Sequence, residues 1–186
     1  MKSNFDKFPK VKIKGHCTTG WNNIGDVLQN GIDKKQHDKV IIAIECYHGV
    51  YVNEIETALQ QNFSTAEIIN SSSALKSKDD IEKMVYPFVT DDPVFGYMAH
   101  LNLKDFFAAE NIQSLQNKIE QSENKTIIVY GIGASLIANN ADTLVYADMP
   151  RWEIQLRFRN NSISNFGAEN NNAEFSYQYK RSFFVD

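Results

Sequence analysis

Hydrophobic residues form two short uncharged runs, at residues 40–44 (VIIAI) and 126–130 (TIIVY). Runs of β-branched residues without charges are typical of strands that are buried on both faces of a parallel sheet. Weaker runs at residues 66–69 and 143–146 predict two further strands. Because parallel strands are joined by long crossovers, helices are expected between the four strands.

Between these runs, apolar residues recur every three or four positions, which predicts amphipathic helices. The stripes begin at Trp21, Val52, Ile81 and Leu103. Pro87 predicts the end of the third helix, and the fourth stripe divides into two helical pieces near residues 110–111. Alternating strands and helices predict an α/β fold in three layers, with a mainly parallel sheet in the middle.

Three other segments alternate with a period of two, which is typical of strands. Residues 11–14 (VKIK) predict a short strand or extended arm that packs on a sheet edge. Residues 150–159 (PRWEIQLRFR) alternate strictly and favour a strand, whereas Pro150 favours the start of a helix. Residues 174–185 place aromatic side chains on alternate positions and predict extended chain after an asparagine-rich connection.

Composition narrows the classes of function. The chain has 186 residues and a net charge of −4 without a basic stripe, which argues against nucleic acid or an anionic membrane as a partner. It has no apolar run of about 20 residues and no signal-like N-terminus, so we expect a cytoplasmic protein. Cys17 and Cys46 lie beside His16 and His48, but the spacing matches no standard metal motif, and no metal site is expected.

The turn after residues 40–44 carries His48 and Gly49 and precedes a predicted helix. A turn of this kind directs backbone N–H groups and a helix dipole at one point, where phosphate loops bind phosphate. A working loop reads G-x-x-x-x-G-K-[ST]. In the two registers that include Gly49, Val50-Tyr51 or Val52-Asn53 take the lysine and hydroxyl positions, so the loop cation is missing.

Several motifs between residues 38 and 159 resemble the uridine kinase-like branch of P-loop kinases. The loop TDDPVFGYM matches an Asp-and-Pro loop of that family, and Gly131 matches a strand end where Tyr130 replaces the family's acid. The segment with Arg151, Arg157 and Arg159 matches a lid that clamps phosphates. The resemblance implies Asp92 as the catalytic base, phosphate binding by His48, Gly49 and these arginines, and a helix at residues 150–159.

The segments ECYHGVY, TDDPVFGYM, VYADMPRWEIQLRFR and YKRSFFVD also resemble the kinase-like domain in front of class I mannose-6-phosphate isomerase-type proteins of bacteria. This resemblance implies an N-terminal arm and helix (1–37), a degenerate kinase-like domain (38–159) and a connection (160–186) toward a cupin-like partner domain. Zinc and carbohydrate isomerase chemistry would belong to that domain, and no cofactor is expected in this chain.

Three functions remain open on the sequence. The first is a degenerate kinase-like domain that binds a phosphorylated small molecule or inorganic anion, or that regulates a partner domain. The second is an active small-molecule phosphotransferase with a non-standard phosphate loop, in which an arginine supplies the cation and Asp92 is the base. The third is a structural interaction module that docks a partner through the aromatic tail.

Overall fold

The computed structural model describes residue 6 and residues 8–35 and 38–186. Its strands are β1 (Val40–Cys46), β2 (Glu67–Asn70), β3 (Thr126–Gly131) and β4 (Thr143–Ala147). Its helices are α1 (Trp21–Asp33), α2 (Val52–Asn62), α3 (Lys78–Val89), α4 (Ala109–Gln121), α5 (Ala134–Ile137), α6 (Arg151–Arg159) and α7 (Phe175–Phe184). Single 3₁₀ turns occupy Ser71–Ala74 and Leu103–Phe106.

The four strands form one parallel sheet in the order β2-β3-β1-β4. Val40 pairs with Thr126 of β3, and Ile42 pairs with Thr143 of β4, so β1 lies inside the sheet. Helices cover both faces, which confirms the predicted three-layer α/β fold. The two uncharged runs in the sequence are the two inner strands because only inner strands are buried on both faces.

Alternate residues of β1 belong to two separate cores. Ala43 faces α3, α4 and α5, in a core with Ile81 and Ile112. Ile42 faces α1 and α2, in a core with Ile55. The turn after β1 therefore emerges at the middle of the sheet, between the two helical layers.

Pro87 does not end α3, as the sequence predicts, but lies inside it. The helix continues to Val89, and Ser77 caps its N-terminus by accepting a hydrogen bond from the Asp80 N–H. A proline in the last turn removes a single backbone donor, which a helix with a buried face tolerates. The sequence also predicts a break near residues 110–111 between two helical pieces. The break lies earlier in the chain, because the first piece is the 3₁₀ turn Leu103–Phe106 and α4 begins at Ala109.

The predicted N-terminal strand is absent from the described residues. Residues 8–20 have no strand or helix, and Val11 and Ile13 are exposed. Within the part of the chain that the structure describes, no helix combines the length and apolar character that crossing a membrane requires.

The two remaining period-two segments are helices. Residues 150–159 contain α6, as the resemblance to kinases implies, with Pro150 at its N-cap. The extended chain predicted at residues 174–185 is wrong, because α7 occupies it. Its buried residues include Gln178 and Arg181, so the helix buries polar side chains that the aromatic alternation does not reveal.

Candidate functional site

The candidate site is the short turn, residues 47–51, that joins β1 to α2. The connection from β1 leads to β2 on one side, while that from β3 crosses β1 to reach β4 on the other. Open α/β sheets bind ligands at such a switch point, outside the carboxyl ends of the strands. The structure thus places His48 and Gly49 where the sequence predicts phosphate binding.

Gly49 has a φ of +91°, a left-handed conformation that L side chains rarely adopt. Helix α6 packs directly against it, so a Cβ at this position would lie 2.8 Å from Cγ1 of Ile154. The turn is therefore closed from one side by the helix that the resemblance identifies as a lid.

Arg157 of α6 is bound to the same turn. Its Nη1 donates a hydrogen bond to the Gly49 carbonyl at 2.7 Å, and its guanidinium lies 3.7 Å from the ring centroid of Tyr51. Its Nε donates to Glu153 at 3.1 Å, and its side chain is only 14% exposed. Most of the guanidinium is thus engaged by protein groups, with its positive charge held next to the turn.

His48 joins the turn to a second loop. Its Nε2 lies 3.0 Å from the carbonyl oxygen of Ser164, and because a carbonyl only accepts, this nitrogen carries the hydrogen. Its ring also lies 5.6 Å from the Phe158 ring, measured between centroids. His48, Gly49 and Arg157 therefore lie together in one cluster.

The other two candidate arginines do not bind the turn. The guanidinium of Arg151 lies 5.7 Å from the Phe183 ring, although its side chain also lines a narrow gap beside His48. Arg159 lies between aromatic rings, 4.8 Å from Phe175 and 5.9 Å from Trp152. Of the three predicted phosphate-binding arginines, Arg157 is the one that the fold places on the turn.

A cleft of about 450 Å³ separates the turn and the start of α2 from residues 162–167. The backbone N–H groups of Val52 and Asn53, the first residues of α2, have no acceptor among the described residues. The opposite wall contains Asn165, which is buried and donates to the Gln178 carbonyl at 3.0 Å. The asparagine-rich connection that precedes α7 is therefore one wall of this cleft.

Asp92, the predicted catalytic base, lies on the exposed loop after α3. Its Oδ1 accepts hydrogen bonds from the backbone N–H groups of Phe95 and Val94, at 2.7 and 2.8 Å. These bonds, with a smaller contribution from Lys180, hold the pKa of the Asp92 carboxyl below its ordinary value. This geometry is that of a side chain that caps a turn.

The family model described as "Domain of unknown function (DUF8485)" matches residues 20–186. The chain belongs to the DUF8485 family. No curated protein matches it in sequence. Neither finding supports the resemblance to mannose-6-phosphate isomerase-type proteins.

The fold of this DUF8485 chain is similar to a crystal structure from Silicibacter sp. TM1040, of a protein assigned as a fructose transport system kinase. The TM-score is 0.59, the sequence identity is 11%, and the alignment covers 89% of each chain. At this identity the similarity establishes a kinase-like fold, and it agrees with the kinase-like part of the sequence resemblance.

Glu45, at the end of β1, is a site residue that the sequence reasoning missed. Its Oε1 accepts from the Gly133 N–H at 2.6 Å, and its Oε2 accepts from the Ser135 N–H and Oγ at 2.8 and 2.7 Å. It thereby ties the loop after β3 to the candidate site. In the sequence, the feature that could have identified Glu45 is its charge, directly after the uncharged run at residues 40–44.

Tyr130, which the resemblance aligns with an acid of the kinases, is almost fully buried. Burial and a hydrogen bond to Glu56 raise the pKa of its phenol to about 12, so the hydroxyl is neutral near pH 7. A neutral phenol cannot replace a carboxylate as a ligand of Mg²⁺. Among the described residues, no group of three or more His, Cys, Asp or Glu side chains could hold a metal ion.

Proposed function

We propose that this chain is a kinase-like domain that does not transfer phosphoryl groups and that binds a small phosphorylated or inorganic anion in the cleft beside the β1–α2 turn. The observation that carries the proposal is the position of Arg157. It brings a positive charge to a turn that lacks the phosphate-loop lysine, and it is held there by the Gly49 carbonyl and the Tyr51 ring.

Three features argue against phosphoryl transfer. The loop lysine and hydroxyl are replaced, Tyr130 replaces the acid, and Arg157 hydrogen bonds to the turn itself. Removing one group that stabilises transition-state charge typically costs about 3 kcal/mol, or a hundredfold or more in rate. We therefore expect no measurable transfer from ATP to a nucleoside or sugar.

Anion affinity can survive these losses. The free N–H groups of Val52 and Asn53 lie at the positive end of the α2 dipole and line the cleft. Arg157 does not line the cleft itself, but its positive charge is held at the same turn by the Gly49 carbonyl. A volume of about 450 Å³ lies within the range of small-molecule sites.

The test is a thermal-shift titration with phosphate, sulfate and a sugar phosphate. We expect each anion to raise the Tm of the wild-type chain, and Arg157→Ala to remove most of the increase. Arg159→Ala is the matched control, because Arg159 lies between Trp152 and Phe175. Equal shifts in all three proteins, or none in the wild type, would contradict the proposed site.

A phosphotransferase assay with ATP and Mg²⁺ tests the other half of the proposal. Turnover of a nucleoside or sugar that Asp92→Asn abolishes would favour the active kinase with a non-standard loop. Asp91→Asn is the control, because the neighbouring carboxylate Asp91 accepts a hydrogen bond from Tyr86 and does not cap the turn.

A second candidate function, an interaction module, is favoured by the loop after α3. Four large apolar side chains are 62–70% exposed there: Val94, Phe95, Tyr97 and Met98. Their backbone is nevertheless fixed, because the Tyr97 N–H donates to the Phe88 carbonyl and Lys180 donates to the carbonyls of Thr90 and Asp92. Rigid exposed aromatic groups are typical of binding hot spots.

The aromatic tail that the sequence suggested for docking is less exposed than this loop. In α7, Phe183 is 50% exposed, whereas Tyr177 packs against the core. A partner such as the expected cupin-like domain would therefore contact residues 94–98 first. Replacing Phe95 and Tyr97 by serine should abolish binding to such a partner while leaving anion shifts unchanged.

A further inference from the structure

Strand β4 leaves one side of the sheet open. It pairs with β1 on one side and is the last strand in the order. Leu144 and Tyr146 are 63% and 58% exposed. Leu144 pairs with Ala43, so it points to the face where the short α5 lies, but it does not pack against the core on that face. An open apolar edge of this kind is normally covered or blocked.

The N-terminal arm, residues 8–19, contains a strand-like pattern but pairs with no sheet in the structure. Val11 and Ile13 are 85% and 86% exposed, although they alternate with Lys10, Lys12 and Lys14 as in a strand with one apolar face. Residues 10–14 match the five residues of β4 in length. The arm thus has the pattern of a strand without a sheet.

The charges of the two parts are complementary. Residues 1–19 contain five lysines and one aspartate, so they carry a net charge of +4. Residues 20–186 contain 14 basic and 22 acidic residues, a net charge of −8. Electrostatic attraction therefore favours the arm lying against the body of its own chain.

Helix α1 lies antiparallel to β4 and brings the arm to the correct end of it. At the carboxyl end of β4, Trp21 lines an apolar cavity of about 230 Å³ together with Val145 and Ala147. At the amino end, Lys35 Nζ donates to the carbonyl of Asp142 at 3.0 Å. A strand in residues 10–14 could reach α1 through residues 15–20, which span at most about 20 Å.

The resulting crossover would also have the correct hand. The connection from β1 through α2 to β2 runs across the sheet in the direction away from β4, and its helix lies on the face to which Ile42 points. A path from a strand outside β4 through α1 to β1 moves in the same direction, with its helix on the same face. The two crossovers therefore share one hand, as parallel βαβ units almost always do.

We propose that residues 10–14, which form no strand in the structure, become a fifth parallel strand by binding in cis along the open edge of β4. The docked strand covers backbone donors and acceptors that β4 presents away from β1, and it places Val11 and Ile13 beside the exposed side chains of the edge.

Amide hydrogen exchange tests this strand. In the full chain we expect slow exchange in residues 10–14 and in β4. In a chain that begins at Gly20 we expect exchange in β4 to become at least tenfold faster, while the inner strand β3 is unchanged. Equal exchange in β4 of the two chains would overturn the proposal.

Two variants and a dilution series distinguish the remaining explanations. Val11→Asp with Ile13→Asp should abolish the protection of β4, whereas the control Phe8→Asp, outside the five-residue strand, should retain it. Protection that disappears on dilution, together with a dimer in sedimentation, would show that a second copy supplies the strand and would overturn binding in cis.

Discussion

Arg181 and Arg157 are each held by several protein groups, but they differ in access to solvent. Arg181 of α7 is fully buried, and its guanidinium donates to Glu82 at 2.9 Å and to the Phe166 carbonyl at 2.7 Å. Asp186, itself buried, lies 3.5 Å from its Nε. Arg157 of α6 lies beside the β1–α2 turn, and its side chain is 14% exposed.

The difference separates a structural role from a binding role. A fully buried charge must be matched by partners inside the protein, and it has no access to a ligand. A partly exposed guanidinium keeps access to solvent, and its hydrogen bonds to phosphate or carboxylate groups are strong. Four substitutions test how far this contrast holds.

The largest expected effect is from Arg181→Met. It leaves the buried carboxylate of Asp186 without its cation, which typically costs about 3 kcal/mol or more. At this chain length the loss corresponds to a decrease in Tm of about 6–12 °C. Arg151→Met, an exposed arginine on α6, is the control and should change Tm by much less. Equal decreases would show that burial is not what distinguishes the two regions.

Gly49→Ala should destabilise the turn by about 2 kcal/mol. Alanine would have to adopt the left-handed backbone conformation of Gly49, and its Cβ would lie only 2.8 Å from Cγ1 of Ile154. The control is Gly31→Ala in α1, where a Cβ meets no atom within 4 Å and alanine should stabilise the helix by about 0.5–1 kcal/mol. Chemical denaturation measures both, and opposite signs are expected.

Arg157→Ala should cost about 1–1.5 kcal/mol of stability, through the charged hydrogen bond to the Gly49 carbonyl and the contact with Tyr51. The substitution should remove a larger fraction of the anion-induced increase in Tm than of the free energy of unfolding. Arg157→Lys keeps the charge and should retain part of the anion shift. A loss of stability as large as that of Arg181→Met would mean that Arg157 is structural.

The smallest effect is expected at Glu67, a partly buried carboxylate on β2. Hydrogen bonds from Ser122 and then Lys118 lower its pKa below the ordinary 4.5. A lowered folded pKa stabilises the protein above about pH 4.5, and this stability is lost as the pH falls through the folded value. Glu67→Gln should therefore cost about 0.5 kcal/mol near pH 7 and nothing near pH 2. A difference that persists in acid would contradict this origin.

Much of the fold was predictable because burial on both faces leaves a local signature. The inner strands β1 and β3 appear as uncharged runs, and α1, α2 and α4 appear as apolar stripes. The missing phosphate-loop lysine is also a local fact, read directly at Val50 and Val52. The cluster of His48, Gly49 and Arg157 was anticipated only through the resemblance to kinases, since no local pattern brings α6 to the turn.

The sequence by itself determined the parallel α/β architecture and the absence of a loop lysine, because hydrophobic periodicity and residue identity are local properties. The tertiary structure alone decided the helical state of α7, where polar side chains point inward because Arg181 finds partners that are distant in sequence, Glu82 among them. It also decided which arginine reaches the turn. Arg151, Arg157 and Arg159 look alike in the sequence, but α6 presents only Arg157 to the Gly49 carbonyl, since a helix rotates successive residues onto different faces.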